Sequence, residues 1–197
     1  MKKMIFIAVC CLFAVTSYSQ PASVMLNEPD LESGLGIMQA LAKRESVRQF
    51  SDKKLSHQDI SDLLWAANGV NRPESGKRTA PSAGNRQAIE IYLCDENGAY
   101  RYDAKTHSLE TISLGDHRQF DAPVYLVIVA NSTDNRSKES YYADSGIVSQ
   151  NISLFCSGRG LGTVCRGSMD QAKLREALKL QDNQYLLLNH PVGYPRE

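Results

Sequence analysis

The run Val124-Tyr-Leu-Val-Ile-Val-Ala130 constrains the fold more than any other part of this chain. It is apolar throughout, rich in β-branched residues, and has no alternation. A strand with one face in water alternates polar and apolar residues, so this one must be covered on both faces. The run therefore predicts a central strand with layers packed on either side. The flanking sequence supplies its neighbours. Ala88–Cys94 reads as a strand, Glu96-Asn-Gly98 as a hairpin turn, and Tyr100-Arg-Tyr102 as the return. His107–Leu114 reads as a further short strand, and Tyr185–Leu188 as a last one ending at Pro191-Val-Gly-Tyr-Pro195.

Helices provide the covering layers. Leu31, Leu35, Met38 and Ala42 recur at helical spacing, predicting a helix from about Leu31 to Lys43, weakened by Gly34 and Gly36. Ser56 and Asp59 make a capping-box start for a second helix, with Ile60, Leu63, Leu64 and Ala67 as its apolar face and Asn68-Gly69 as its stop. A third helix runs from Tyr141 to about Ser157. Its apolar residues spread around the axis, which implies burial on more than one side. Asp170 caps a fourth helix through Leu180. Residues 71–86 form the longest irregular stretch. With Arg72, Lys77, Arg78 and Arg86 it is basic, which suits either solubility or attraction of an anionic ligand.

The first residues do not belong to this core. Lys2 and Lys3 precede an apolar run from Met4 to Val15, followed by Ser17-Tyr-Ser19. That pattern predicts a secretory signal peptide over residues 1–19, cleaved after Ser19. A flexible tether over 20–30 and one domain over 31–197 follow, with export to a bacterial periplasm. The apolar run is short for a membrane span, so no membrane association is expected after cleavage. The whole chain carries 22 basic and 22 acidic residues. Removing Lys2 and Lys3 leaves 20 against 22, a balance that favours neither nucleic acid nor an anionic surface. Cys94, Cys156 and Cys165 remain after processing. This is not a disulfide framework, and buried thiols are expected, although export would permit a Cys156–Cys165 bridge. His57, His107, His117 and His190 are scattered without metal-ligand spacing, so no metal site is expected.

Two short segments carry the chemistry. In Arg44-Glu-Ser-Val-Arg-Gln-Phe50, an extended chain would place Arg44, Ser46 and Arg48 on one face, roughly 7 Å apart. Two guanidiniums and a hydroxyl in a row suit a phosphate, whose oxygens match the planar arginine fork. Pro81-Ser-Ala-Gly-Asn-Arg-Gln87 holds a small-residue turn followed by amides, suited to the polar edge of a planar heterocycle. Together they point to a phosphorylated, ring-bearing cofactor. Gly158-Arg-Gly-Leu-Gly162 follows a helix and precedes a strand, the reverse of the dinucleotide fingerprint, and reads as a helix C-cap.

In order, Arg44-x-Ser46-x-Arg48-x-Phe50, Pro81-Ser82-x-x-Asn85-x-Gln87, Gln150-Asn151, Gly160-Leu-Gly-Thr163, Arg166-Gly167 and Pro191-Val-Gly-Tyr-Pro195 resemble the nitroreductase superfamily of flavin enzymes. Tyr100-Arg-Tyr-Asp103 and His107-Ser-Leu-Glu110 further resemble its thiazole/oxazole dehydrogenase (SagB-type) branch. The resemblance implies an α+β fold with a central, mostly antiparallel sheet flanked by helices, and a homodimer holding FMN at its interface. It assigns the FMN phosphate to Arg44, Ser46 and Arg48. It assigns the ring to Pro81, Ser82, Asn85 and Gln87 of the other subunit, to the backbone at Arg166 and Gly167, and to Arg118 at the pyrimidine edge. Family members often place a further basic residue on the phosphate beyond the Gly-Tyr-Pro segment; Arg196 is the residue available here, and weaker FMN retention is expected. The implied activity is two-electron transfer from NADH or NADPH to a small organic acceptor such as a nitroaromatic or a quinone, with no obligatory catalytic side chain. Two alternatives stay open: a dehydrogenase that oxidises azolines or a related small substrate, and a non-catalytic exported flavin-binding protein.

Overall fold

The computed structural model describes residues 23–132 and 138–196. The signal peptide read over 1–19 lies outside them, as do residues 20–22 of the tether. Among the described residues the chain builds nine strands and four α-helices. The strands are β1 (Ser23–Met25), β2 (Val70–Arg72), β3 (Lys77–Arg78), β4 (Ile89–Cys94), β5 (Gly98–Asp103), β6 (Ser108–Leu114), β7 (Val124–Asn131), β8 (Gly162–Thr163) and β9 (Gln184–Gly193). The helices are α1 (Ile37–Lys43), α2 (His57–Asn68), α3 (Lys138–Gly158) and α4 (Gln171–Ala177). Seven strands form one sheet in the order β1-β6-β5-β4-β7-β9-β8, and every pairing in it is antiparallel. This is the α+β architecture expected.

β7 is the centre. Val124, Leu126, Ile128 and Ala130 project into the larger core with Leu63, Leu64 and Ala67 of α2 and Val148, Ile152 and Cys156 of α3. Tyr125, Val127 and Val129 project the other way, against Leu174 of α4 and Leu178 just beyond it. The unbroken apolar run thus serves two cores at once. Each fully buried aliphatic side chain contributes about 1.5–3 kcal/mol of transfer free energy.

The capping box of α2 is present: Ser56 accepts from the Asp59 amide, and the Asp59 carboxylate accepts from the Ser56 amide. Gly160 adopts φ +69° just past α3, and the Leu161 amide donates back to the Cys156 carbonyl. This is the C-cap read from the glycines. Cys94 and Cys156 are buried, Cys165 is exposed, and all three are free thiols.

The structure corrects several boundaries. The first helix is limited to Ile37–Lys43, because Gly34 takes φ +108° and the Leu35 amide donates to the Gly158 carbonyl instead of to its own helix. The supposed tether is ordered from Ser23. Residues 23–25 pair with β6, Leu26 is buried, and the Asp30 amide donates to Asp62. A short strand with little periodicity is invisible until its partner edge exists. The basic stretch 71–86 contains the β2–β3 hairpin. α4 stops at Ala177, short of Leu180, and β9 extends from Gln184 through Pro191 to Gly193. The Thr163 hydroxyl donates to the Pro191 carbonyl where the ladder lacks a proline donor.

Candidate active site

Arg44 leaves α1 with extended backbone (φ −58°, ψ 120°). The segment then runs beside β8, the Val47 amide donating to the Thr163 carbonyl and Phe50 bridging Pro195. Such a chain alternates its faces. Val47 turns inward beside a cavity lined by Ser153, Cys156 and Leu161 and is half-buried, whereas Arg44, Glu45, Ser46 and Arg48 are exposed, Glu45 at the rim of that cavity. The Arg48 guanidinium reaches the Ser46 carbonyl at 3.4 Å. The Arg44 guanidinium meets no hydrogen-bond or ion-pair partner among the described residues. Arg196, whose Nε donates to the Phe50 carbonyl, sits at the far end of the same segment.

The backbone approach depends on Gly162. A Cβ there would lie 2.7 Å from Val47 Cβ, so only glycine lets the segment reach β8. Further along, the Arg166 guanidinium stacks 4.7 Å from the Phe120 ring, which meets Phe50 edge-on at 6.1 Å. This stack joins the end of the arginine segment to Arg166 and Gly167. One Arg166 nitrogen, Nη1, is buried without a hydrogen bond. The nearby Tyr125 hydroxyl is likewise buried and unpaired, and burial pushes its pKa up to about 12. Gly167 is exposed, with open space where a side chain would stand.

The Pro81–Gln87 segment lies elsewhere. Ala83–Asn85 forms a 3₁₀ turn whose Ala83 amide donates to Asp144 near the start of α3. Asn85 (φ +55°) and Gln87 (φ +53°) occupy left-handed backbone, a conformation costing on the order of 1–3 kcal/mol each for a non-glycine residue. Gln87 is committed at both ends of its amide: it accepts from Arg78 and donates to the Gly76 carbonyl and to Asn85. Its amide hydrogen donates to the Ser82 hydroxyl. Gln87 and Ser82 therefore brace the loop, while Pro81 and Asn85 remain exposed. Arg118 is committed too, with two nitrogens on Asp116 and a third on the Ala122 carbonyl. It clamps the turn before β7 rather than reaching outward.

Arg44 follows α1, which Ser157 of α3 holds through the Ala40 carbonyl. Asp144 anchors the Pro81–Gln87 loop at the other end of α3. At 1.5 Å per residue, the 13 residues from Asp144 to Ser157 separate these anchors by about 20 Å. The structure thus brings the arginine segment, Arg166 and Gly167 together and leaves the Pro81 loop of the same chain at a distance.

The sequence matches the Nitroreductase family over residues 41–194. The chain belongs to the nitroreductase family. A nitroreductase homologue of Methanocaldococcus jannaschii is 33% identical over 189 residues, covering 84% of this chain and 93% of that protein. The crystal structure of a nitroreductase homologue from Ralstonia eutropha is 34% identical, with a TM-score of 0.84 over 90% of this chain and 94% of that one. At the level of fold, the nitroreductase also matches a chain of the E. coli microcin synthetase McbBCD complex (19% identity, TM-score 0.69, 98% and 85% covered). Sequence reasoning missed Phe120, Asp144 and Asn189 in this nitroreductase. Only the polar pair Asn189-His190, interrupting an apolar strand, carried a visible signal.

Proposed function

We propose that this nitroreductase is an FMN-dependent enzyme that acts as a homodimer, moving two electrons from NADH or NADPH to a small organic acceptor such as a nitroaromatic or a quinone. The observation that carries this reading is the exposed Arg44, Ser46 and Arg48 face, with the Arg44 guanidinium free of hydrogen-bond and ion-pair partners among the described residues, and the open backbone of Gly167. Those residues fit a ring-bearing phosphate ester. Arg44, Ser46 and Arg48 would hold the phosphate, with Arg196 adding charge at the segment's end. The backbone at Arg166 and Gly167 would lie along the ring. When bound, FMN supplies the redox chemistry itself.

The separation of about 20 Å along α3 supports a site shared between two copies, in which Pro81 and Asn85 of a second copy approach the ring. α1 supplies a surface for such pairing, because Ile37, Met38 and Leu41 are exposed along it. Family membership supports the flavin and the nicotinamide donor, since the family is typically flavin-dependent with NAD(P)H donors. Arg72 and Arg78 are partly spent within the β2–β3 hairpin, where Arg72 donates to the Arg78 carbonyl and Arg78 to Gln87. Lys77 is an exposed cation there that could meet an anionic donor. The 1–19 segment supports export to the periplasm, where nicotinamide dinucleotides are scarce, so donors of other chemistry belong in the same assay.

The test is the absorption spectrum of the purified, FMN-loaded protein under anaerobic conditions. Flavin bands that bleach promptly with NADH or NADPH and return with a nitroaromatic or quinone are expected. A loaded protein that bleaches with neither would overturn the donor assignment, and one that takes up no flavin would overturn the whole reading.

A further inference from the structure

We propose that the cavity between the N-terminal strap, α2 and α3 is a second binding site, separate from the flavin site, for a small amphipathic amine in its ammonium form. The cavity has a volume of about 450 Å³, with residues 29–40 on one side and α2 and α3 on the other. Leu35, Trp65, Leu154 and Phe155 supply apolar and aromatic walls, and Asp30 and Asp62 stand at its polar end. Apolar walls with a few convergent polar groups, at this size, are what a small-molecule site presents. None of the residues assigned to FMN lines it. The strap also precedes residues 41–194, over which the chain matches its family, so this wall is an addition to the matched domain.

The strap is fixed to both helices it crosses. The Asp30 amide donates to Asp62 Oδ1 at 2.9 Å, Gln58 Nε2 to the Glu28 carbonyl at 2.9 Å, and the Leu35 amide to the Gly158 carbonyl at 2.9 Å. Arg159, just past α3, closes the far end. Its Nη1 donates to the Ser33 hydroxyl, and its guanidinium lies 3.9 Å from Asp30, 3.8 Å from Asp59 and 3.3 Å from Asp62. The cavity is thus bounded by hydrogen-bonded backbone rather than by a loose tail. Trp65 is placed by its own turn: Nε1 donates to the Val70 carbonyl at 3.1 Å, and a Cβ at Gly69 would lie 2.5 Å from its Cδ1.

Charge decides the class of ligand. Among the described residues, Arg159 is one cation shared by three carboxylates. Asp62 is buried, and its Oδ2 accepts no hydrogen bond. The strap adds Glu28 and Glu32 on either side of Asp30, and residues 23–36 contain no Lys or Arg. The polar end therefore carries net negative charge next to aromatic side chains. An ammonium ion gains from both, through charge-assisted hydrogen bonds to carboxylate and through the negative faces of Trp65 and Phe155. A carboxylate ligand is repelled by the same groups. Met38 and Leu41, the α1 residues open to a second copy, are not among the walls, and the exposed Ile37 stands at the rim.

Trp65 is the only tryptophan of the chain, so its fluorescence reports on this cavity directly. Three probes of similar size are titrated into flavin-free full-length protein: 2-phenylethylammonium, 2-phenylethanol and phenylacetate. The ammonium ion should bind saturably and about ten- to hundredfold more tightly than the alcohol, the range of one charged contact. Phenylacetate should not bind. Asp62→Asn should bring the ammonium ion down to the affinity of the alcohol. Should Asp62→Asn not fold, Asp30→Asn removes a charge and keeps the oxygen that accepts from the Glu32 and Ser33 amides; it must weaken the ammonium ion and leave the alcohol unchanged, and undiminished binding refutes the assignment. Equal binding of ammonium ion and alcohol to wild type overturns the choice of a cation. Trp65 emission unmoved by every probe overturns the site. Binding confined to a monomeric Met38→Glu variant would mean that a second copy covers the mouth, and overturns the ligand site as well. None of these outcomes depends on FMN uptake, so the FMN reading stands or falls separately.

Discussion

Arg44 and Arg48 stand on the outer face of an extended segment because Val47, between them, is drawn in beside Gly162. Neither guanidinium is held in an ion pair among the described residues, so either can be removed without stranding a buried partner. Arg44→Ala and Arg48→Ala are therefore expected to fold like wild type and to bind FMN at least about tenfold more weakly, the loss of one charged hydrogen bond. Fluorescence titration of FMN measures this, and unchanged affinity in both variants would move the phosphate elsewhere. His190 makes the opposite case. Burial depresses its pKa from 6.5 to about 4, so the unfolded chain binds a proton that the folded chain refuses. Its contribution is unpenalised above pH 6.5 and is lost as pH falls toward 4, by about 3 kcal/mol in all. His107, also lowered by burial, adds in the same direction. Urea midpoints should fall between pH 7 and 4.5, and His190→Gln should show a shallower fall. The alternation at Arg44–Arg48 was legible because strand periodicity is local. The commitments of Gln87, Arg118 and Asn189 were not, because each depends on a partner brought up by folding.

At the scale of elements, the close approach of the arginine segment to β8 is set by the absence of a side chain at Gly162. Its φ is ordinary, so the requirement is space rather than conformation. Gly162→Ala should lower stability by about 1–3 kcal/mol through overpacking. It should also weaken FMN, since the displaced segment carries the guanidiniums. Thermal melting read together with the flavin titration checks both; a stable variant with normal affinity would show that the segment moves without consequence. The long periodic elements, α2, α3 and β7, could be read from the chain because their patterns are strong and their caps are chemical. β1, β2 and β3 could not: two or three residues carry no period, and a partner edge alone makes them strands.

At the scale of the molecule, a helix with Ile37, Met38 and Leu41 in water is expensive unless a second copy covers it. On the proposed homodimer, Met38→Glu should yield monomers in light scattering and lose FMN in the same preparation, because the proposed shared site would draw on both ends of α3. Monomers that still bind FMN with wild-type affinity would confine the site to one chain. By itself the amino-acid order determined that β7 lies between two layers, that α2 opens on a capping box and α3 closes at Gly160, and that guanidiniums line one edge of an extended segment. These follow from residue chemistry and short-range periodicity. Folding alone decided that the Pro81 loop lies far from Arg44 in its own chain, that N-terminal residues complete the sheet, and that Asn189 ties down the carbonyls of Arg166 and Ser168. Those outcomes depend on contacts between residues remote in the chain, for which neither spacing nor composition carries a signal.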